Sequence, residues 1–229
     1  MNLDELARHL GLDARLVRRW AERGTLPGTM IGGEWRFNRA QLLDWLQREM
    51  HTLDRAHIHN LERAMSEGSS ECVVSDLLPT EAIDMNLPAR SRASVLRELV
   101  ALAERTGLVY DSQGLREAVQ ERENLGATAL PGGFAIPHPR RPMPYATAEP
   151  LICLARVPAG IAFGAPDGRM TDLFVFVCSH EERQHLCVLA RLALMFTTDL
   201  PDALRAAENA AAALELILQR ESAILAQRR

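Results

Sequence analysis

Lysine is absent from this 229-residue chain, and every one of its 26 basic side chains is an arginine. That uniformity reads as a genomic base bias, not as a functional signal. Cysteine is scarce: Cys72, Cys153, Cys178 and Cys187 stand apart with no CxxC spacing. This argues against a disulfide framework or a zinc finger and fits a reducing cytoplasm. His51, His57 and His59 lie close together but have no acidic or cysteine partner at ligand spacing, so solvent-exposed histidines are expected there and no metal or cofactor. No apolar run reaches the roughly 18 residues of a membrane span. The N-terminus, MNLDELARHL, is charged and lacks the apolar core of a signal peptide. The net charge of −4 gives no global basic field, so any contact with nucleic acid must come from a local patch.

Hydrophobic residues make up 47% of the chain, enough for a proper core in one large domain or two unequal ones. The first 50 residues read as helix, tight turn, helix, hairpin, helix. Leu3, Leu6, Ala7 and Leu10 have helical spacing and Gly11 ends that helix. Asp13 caps a second helix from Ala14 to Arg23, closed by Gly24. Val17 and Trp20 are expected to face inward, leaving Arg15, Arg18, Arg19 and Arg23 outside. Gly32-Gly33 between apolar residues predicts a hairpin over Met30–Phe37. A third helix follows from Arg39 to Met50.

Residues 51–70 are polar and read as a linker or a dimer-forming helix, since Leu46, Met50, Leu53, His57 and Leu61 recur at steps of three and four. A homodimer is one assembly this would support. Gly68-Ser69-Ser70 reads as the domain boundary. From residue 71 onward, strands alternate with helices, which predicts an α/β layer fold. Helices are expected after Ser91 and Asp111, from Glu181, and from about Glu208 to Gln227. Strands are expected within 82–87, 151–157, 161–163 and 173–178. The last of these is apolar throughout, so both of its faces should be covered.

The stretch from Arg122 to Arg140, RENLGATALPGGFAIPHPR, cannot be a regular helix. Phe134-Ala135-Ile136 reads as a short buried strand, and Pro137 stops it with His138 at its end, where ligands of α/β sheets bind. A histidine on a stiff turn near Arg122, Arg140 and Arg141 suits the handling of an anion, with phosphate the leading candidate.

These residues resemble the active-site stretch of the nitrogen-regulatory and fructose/mannitol-type IIA proteins of the bacterial phosphotransferase system. The matching elements are Arg122-Glu123, Gly126-Ala127-Thr128 and Gly133-Phe134-Ala135-Ile136-Pro137-His138. Pro139 departs from the family, where glycine is common. The resemblance implies an α/β fold with a IIA-type mixed sheet flanked by helices over 71–229. It also implies that His138 accepts a phosphoryl group from an HPr-like histidine phosphocarrier, that His185 faces it as a hydrogen-bond donor, and that Arg122 assists. The chain would then be a phosphohistidine carrier in the cytoplasm.

Residues 1–50 resemble the excisionase-like and MerR-like winged helix-turn-helix modules, through Leu10-Gly11-Leu12, Val17, Gly24, Leu26-Pro27, Ile31-Gly32-Gly33 and Trp35-Arg36. That resemblance implies DNA binding, with Arg15, Arg18 and Arg19 on bases or phosphates and Arg36 on a phosphate. Glu34 departs from it, since the wing tip is usually basic there. Together the two resemblances imply a phosphotransferase-linked regulator that binds DNA. The alternatives are a IIA-like protein that docks a partner or an anion without phosphotransfer, and a transport-linked sugar IIA component.

Overall fold

The structure is a computed structural model that describes residues 1–66 and 73–227. The expected boundary at Gly68-Ser69-Ser70 lies outside the described residues. Contacts divide the chain into two units, Met1–Cys72 with Leu186–Leu194, and Val73–His185 with Met195–Arg229.

In the first unit, α1 (Leu3–Leu10) and α2 (Ala14–Glu22) form the helix-turn-helix. Asn2 and Glu5 make a capping box at the start of α1, and the Asp13 carboxylate accepts from the Arg15 amide at the start of α2. Gly11 turns the chain between the helices at φ +65°, and a Cβ there would stand 2.6 Å from the Asn60 carbonyl oxygen. Only glycine fits that turn. Strands β1 (Thr29–Ile31) and β2 (Glu34–Arg36) pair antiparallel as the wing, and α3 (Arg39–Glu49) follows. Leu6, Leu10 and Val17 are wholly buried. Trp45 is buried too, but Trp20 is only half-buried and lies against Trp45 and His57.

The polar stretch after α3 carries a regular helix, α4 (Arg55–Ser66), which packs on α1 and buries Ile58, Leu61, Glu62 and Met65. Glu62 is fully enclosed and pairs with the equally enclosed Arg191, whose Nε donates at 2.7 Å. Nothing in the local sequence announces this pair, because its partners are 129 residues apart.

The second unit is built on a five-stranded sheet in the order β3-β6-β7-β5-β4. Its strands are β3 (Ile83–Asp84), β4 (Ala129–Leu130), β5 (Phe134–Ala135), β6 (Leu151–Ile161) and β7 (Thr171–Cys178). Pairing is mixed: β3 with β6 and β5 with β7 are parallel, while β6 with β7 and β4 with β5 are antiparallel. The apolar β7 is central and buried along its length save for Asp172. Helices α5 (Arg92–Glu104) and α6 (Ser112–Asn124) begin at the expected Ser91 and Asp111 caps. Helix α7 (Glu182–Phe196) has its Leu186–Leu194 stretch counted with the first unit, while α8 (Leu200–Ala206) and α9 (Ala210–Ala226) belong to the second.

An α/β fold with a mixed sheet flanked by helices is therefore observed, with three differences of detail. The strands expected at 151–157 and 161–163 are one strand, β6, whose register slips between Arg156 and Ile161. The slip is a bulge, which carries a strand through Pro158 without demanding its missing amide. The segment 82–87 contains only the two-residue β3. Helix α8 was not anticipated; Pro201 near its start makes it look like a loop in sequence.

Removing the Glu62 carboxylate takes the ionic partner from a buried guanidinium, which costs about 3 kcal/mol or more. Because Trp20, Trp35 and Trp45 all lie in the first 50 residues, tryptophan fluorescence reports on the first unit. The Glu62→Ala variant is expected to unfold at clearly lower urea by that signal. An unchanged midpoint would show that the pair contributes nothing.

Candidate functional site

Parallel pairing of β5 with β7 decides where the chemistry-bearing residues meet. Phe134 aligns with Leu173 and Ala135 with Phe174, and the pairing continues as the Val177 amide donates to the Pro137 carbonyl at 3.0 Å. His138 thus leaves the sheet beside the end of β7. There the chain passes through Ser179 into α7, whose first turn carries His185. The imidazoles of His138 and His185 consequently face one another, with ring centroids 5.1 Å apart at an angle of 58°.

Both rings are buried, with 3% and 2% of their surfaces exposed. The Nδ1 of His138 lies 2.7 Å from the Ile136 carbonyl oxygen. A carbonyl only accepts, so Nδ1 carries the proton and Nε2 keeps its lone pair in the neutral ring. The Nδ1 of His185 lies 3.3 Å from the Ser179 hydroxyl. Among the described residues, the Nε2 atoms of both rings are enclosed and have no hydrogen-bond partner. Two orphaned ring nitrogens in one buried site call for an explanation, since buried polar atoms are almost always satisfied.

Arg122, at the end of α6, is buried and donates through Nη1 to the Gly126 carbonyl at 3.0 Å. Burial is the main force holding the His138 imidazole well below its ordinary pKa; the charges of His185 and Arg122 add to it, and the bond to Ile136 opposes it. Burial, then Arg122, pushes His185 down to about 4. Both rings are neutral at physiological pH, and a neutral imidazole is a nucleophile. The neighbouring Cys178 thiol is no competitor, because burial raises its pKa to about 11.

The glycine turn before β5 is clamped from outside the site. Arg205 donates through Nη2 to the Gly132 carbonyl at 2.7 Å and holds the Asp172 carboxylate with Nε and Nη2. Gly133 sits at φ +82°, and a Cβ there would come within 2.8 Å of Arg205 Nη2 and 3.1 Å of the Met170 carbonyl oxygen. Arg140 is exposed and Arg141 half-buried beyond His138.

In the first unit Arg15, Arg18 and Arg19 are all exposed on α2, with Arg23 following at its end. Arg36 is exposed on the wing, and its Nη2 is bonded to the Glu34 carboxylate at 2.7 Å. Sequence reasoning brought forward His138, His185 and Arg122 but missed Ser179 and the Ile136 carbonyl. A serine just past a buried strand has no pattern of its own. A backbone carbonyl carries no signal at all.

Residues 76–220 match the family model of the phosphoenolpyruvate-dependent sugar phosphotransferase system EIIA 2, and residues 1–50 match a helix-turn-helix domain model. The chain is 36% identical over 144 residues to a nitrogen regulatory protein of Bradyrhizobium diazoefficiens, covering 61% of this chain and 90% of that one. It is 26% identical over 151 residues to the fructose-specific EIIABC component of Bacillus subtilis, covering 65% of this chain but only 23% of that protein. The crystal structure of the nitrogen regulatory protein IIA-Ntr of Neisseria meningitidis superposes with a TM-score of 0.58 at 24% identity, covering 63% of this chain and 98% of that one. Among the described residues no helix is long and apolar enough to cross a membrane. With a sheet of this order and two histidines meeting at its strand ends, the chain belongs to the EIIA 2 family of the phosphotransferase system and carries a helix-turn-helix domain at its N-terminus.

Proposed function

We propose that this protein is a phosphotransferase-linked regulator: His138 accepts a phosphoryl group from an HPr-like phosphocarrier, and the N-terminal domain binds duplex DNA. The observation that carries the first half is the enclosed pair of neutral imidazoles, with Nδ1 of His138 tied to Ile136 and Nε2 left bare. In the transfer, the Nε2 lone pair attacks phosphorus as the bond from phosphorus to the carrier's imidazole breaks. The carrier ring, carrying a proton on its other nitrogen, leaves as a neutral imidazole, and the three equatorial oxygens stay on phosphorus. Such a step needs in-line placement and donors for those oxygens, and little else. His185, through Nε2–H, and Arg122 are the donors within the site. The setting is the cytoplasm, where a phosphocarrier relay operates.

The second half rests on the local basic patch of Arg15, Arg18 and Arg19 on α2, in a chain whose net charge is −4. In a helix-turn-helix the second helix enters the major groove. Arg36 would touch a phosphate from the wing, though its bond to Glu34 must first open.

One observation favours a second reading. His138 Nε2 has no access to solvent, which suits a IIA-like domain that docks a partner without phosphotransfer. Under the first reading the loop around His138 opens as the carrier docks.

Incubation with the phosphotransferase relay and phosphoenolpyruvate is expected to label wild type and leave His138→Ala unlabelled. No label on wild type would favour docking alone, and equal label on both would remove His138 as the phosphoacceptor. Arg18→Ala is expected to weaken duplex binding and reduce the steepness of its salt dependence. Binding indifferent to that change would assign the module to protein contacts.

Stability supplies a further check. A histidine whose folded pKa lies below its unfolded value of 6.5 costs no stability above that pH. The cost grows as pH falls towards the folded value, about 4 for His185. Between pH 7 and pH 5 His185 should remove roughly 2 kcal/mol, and His138, shifted the same way by burial, adds to the loss. Denaturant unfolding of His138→Gln/His185→Gln is expected to show a much flatter pH dependence than wild type over that interval. Equal slopes would mean that the rings already carry charge in the folded state.

A further inference from the structure

The buried carboxylate of Glu123 is the origin of an unbroken chain of hydrogen bonds that ends on the reacting histidine. Glu123 follows Arg122 in α6 and is 1% exposed. Its carboxylate accepts from the Thr128 hydroxyl at 2.6 Å and the Thr128 amide at 3.1 Å. Arg92, at the first turn of α5, donates to it through Nε at 3.1 Å and through Nη2 at 2.5 Å, and Nη2 also reaches the Glu123 carbonyl at 2.9 Å. On the other side of Thr128, its carbonyl accepts from the Ile136 amide at 3.1 Å. That bond extends the β4–β5 hairpin by one pair, since Ala129 aligns with Ala135. The Ile136 carbonyl in turn accepts from His138 Nδ1 at 2.7 Å.

From these bonds we infer that Glu123 is a positioning residue for phosphoryl transfer, acting through Thr128 and Ile136 to hold His138 in the tautomer with a proton on Nδ1 and a free lone pair on Nε2. The inference rests on the proposed phosphoacceptor role of His138. Two-residue strands cannot fix a register by themselves, because a slip of one residue costs few ladder bonds and turns every side chain to the other face. The carboxylate supplies what the hairpin lacks. It gathers both donors of Thr128 at one point, and Arg92 pairs with it and fixes its orientation in an enclosed place. If the hairpin drifts, the Ile136 carbonyl leaves Nδ1, the proton redistributes between the ring nitrogens, and the nucleophilic lone pair at Nε2 is lost for part of the time. Glu123 also lies in the last turn of α6 beside Arg122, so the same anchor places that guanidinium.

A glutamine keeps only part of this role. With its oxygen in the place of Oε1 it still accepts from Arg92 and the Thr128 amide, but it brings no charge to Arg92, and its NH2 meets the Thr128 hydroxyl, which must turn round to accept. The test compares wild type with Glu123→Gln, Thr128→Val and Thr128→Ser, the last restoring the hydroxyl. Nitrogen-15 NMR of the imidazoles reads the tautomer, and relay phosphorylation reads the rate. In wild type His138 is expected to show a single Nδ1–H tautomer. Glu123→Gln and Thr128→Val should mix the tautomers and slow phosphorylation by about tenfold to a hundredfold, and Thr128→Ser should recover both. If Glu123→Gln does not fold by circular dichroism, Thr128→Val, which removes one hydroxyl, decides the matter. Folded variants that keep a single Nδ1–H tautomer and the wild-type rate would overturn the inference. Should wild type accept no phosphoryl group, the phosphoacceptor reading falls by itself. The tautomer comparison still decides the positioning: a shift in Thr128→Val supports it and identical spectra refute it.

Discussion

The parallel register of β5 on β7 is the constraint from which the site follows. Parallel neighbours end at the same edge of a sheet, so whatever follows each strand is delivered to one place. His138 comes after the first and Ser179, α7 and His185 after the second. No loop has to fold over to bring the rings together. The two strands differ greatly in their own stability. β7 is long, apolar and central, whereas β5 has two residues and borrows its order from its neighbours.

Burial then does the chemical work. Enclosing an imidazole penalises its charged form, so each ring is kept neutral by the packing that holds it. Arg122 acts in the same direction by repelling a proton from both rings. The result is a neutral imidazole with a bare ring nitrogen and a cation acting on it, which is what the proposed transfer requires. The cost is borne by the sheet and helices around the site. Clamps on either side of the glycine turn, Glu123 with Thr128 and Arg205 with Asp172, show how much fixed structure surrounds the loop that carries His138.

Much of this was legible in the sequence where the signal is local. Caps at Asp13, Ser91 and Asp111 announced their helices because a short polar side chain satisfies amides two or three residues on. The uniformly apolar β7 announced a covered strand. His138 was legible because Pro137 and the glycines are local punctuation. What escaped is non-local. The pairing of Glu62 with Arg191 and of Arg92 with Glu123 spans 129 and 31 residues, and a charged residue on a helix looks solvated until its partner is known. Residues 51–70 read as a linker or a dimer-forming helix for that reason, since the polar spelling of α4 hides a buried carboxylate. Strands as short as β4 and β5 have too few residues to show any period.

His138 Nε2 is the atom proposed to take the phosphoryl group, and nitrogen-15 and phosphorus-31 NMR on relay-treated protein reads that bond directly. A one-bond phosphorus–nitrogen coupling to Nε2 of His138, with Nδ1 still protonated, is the predicted result. Coupling to Nδ1, or phosphorus on any residue other than His138, would contradict it.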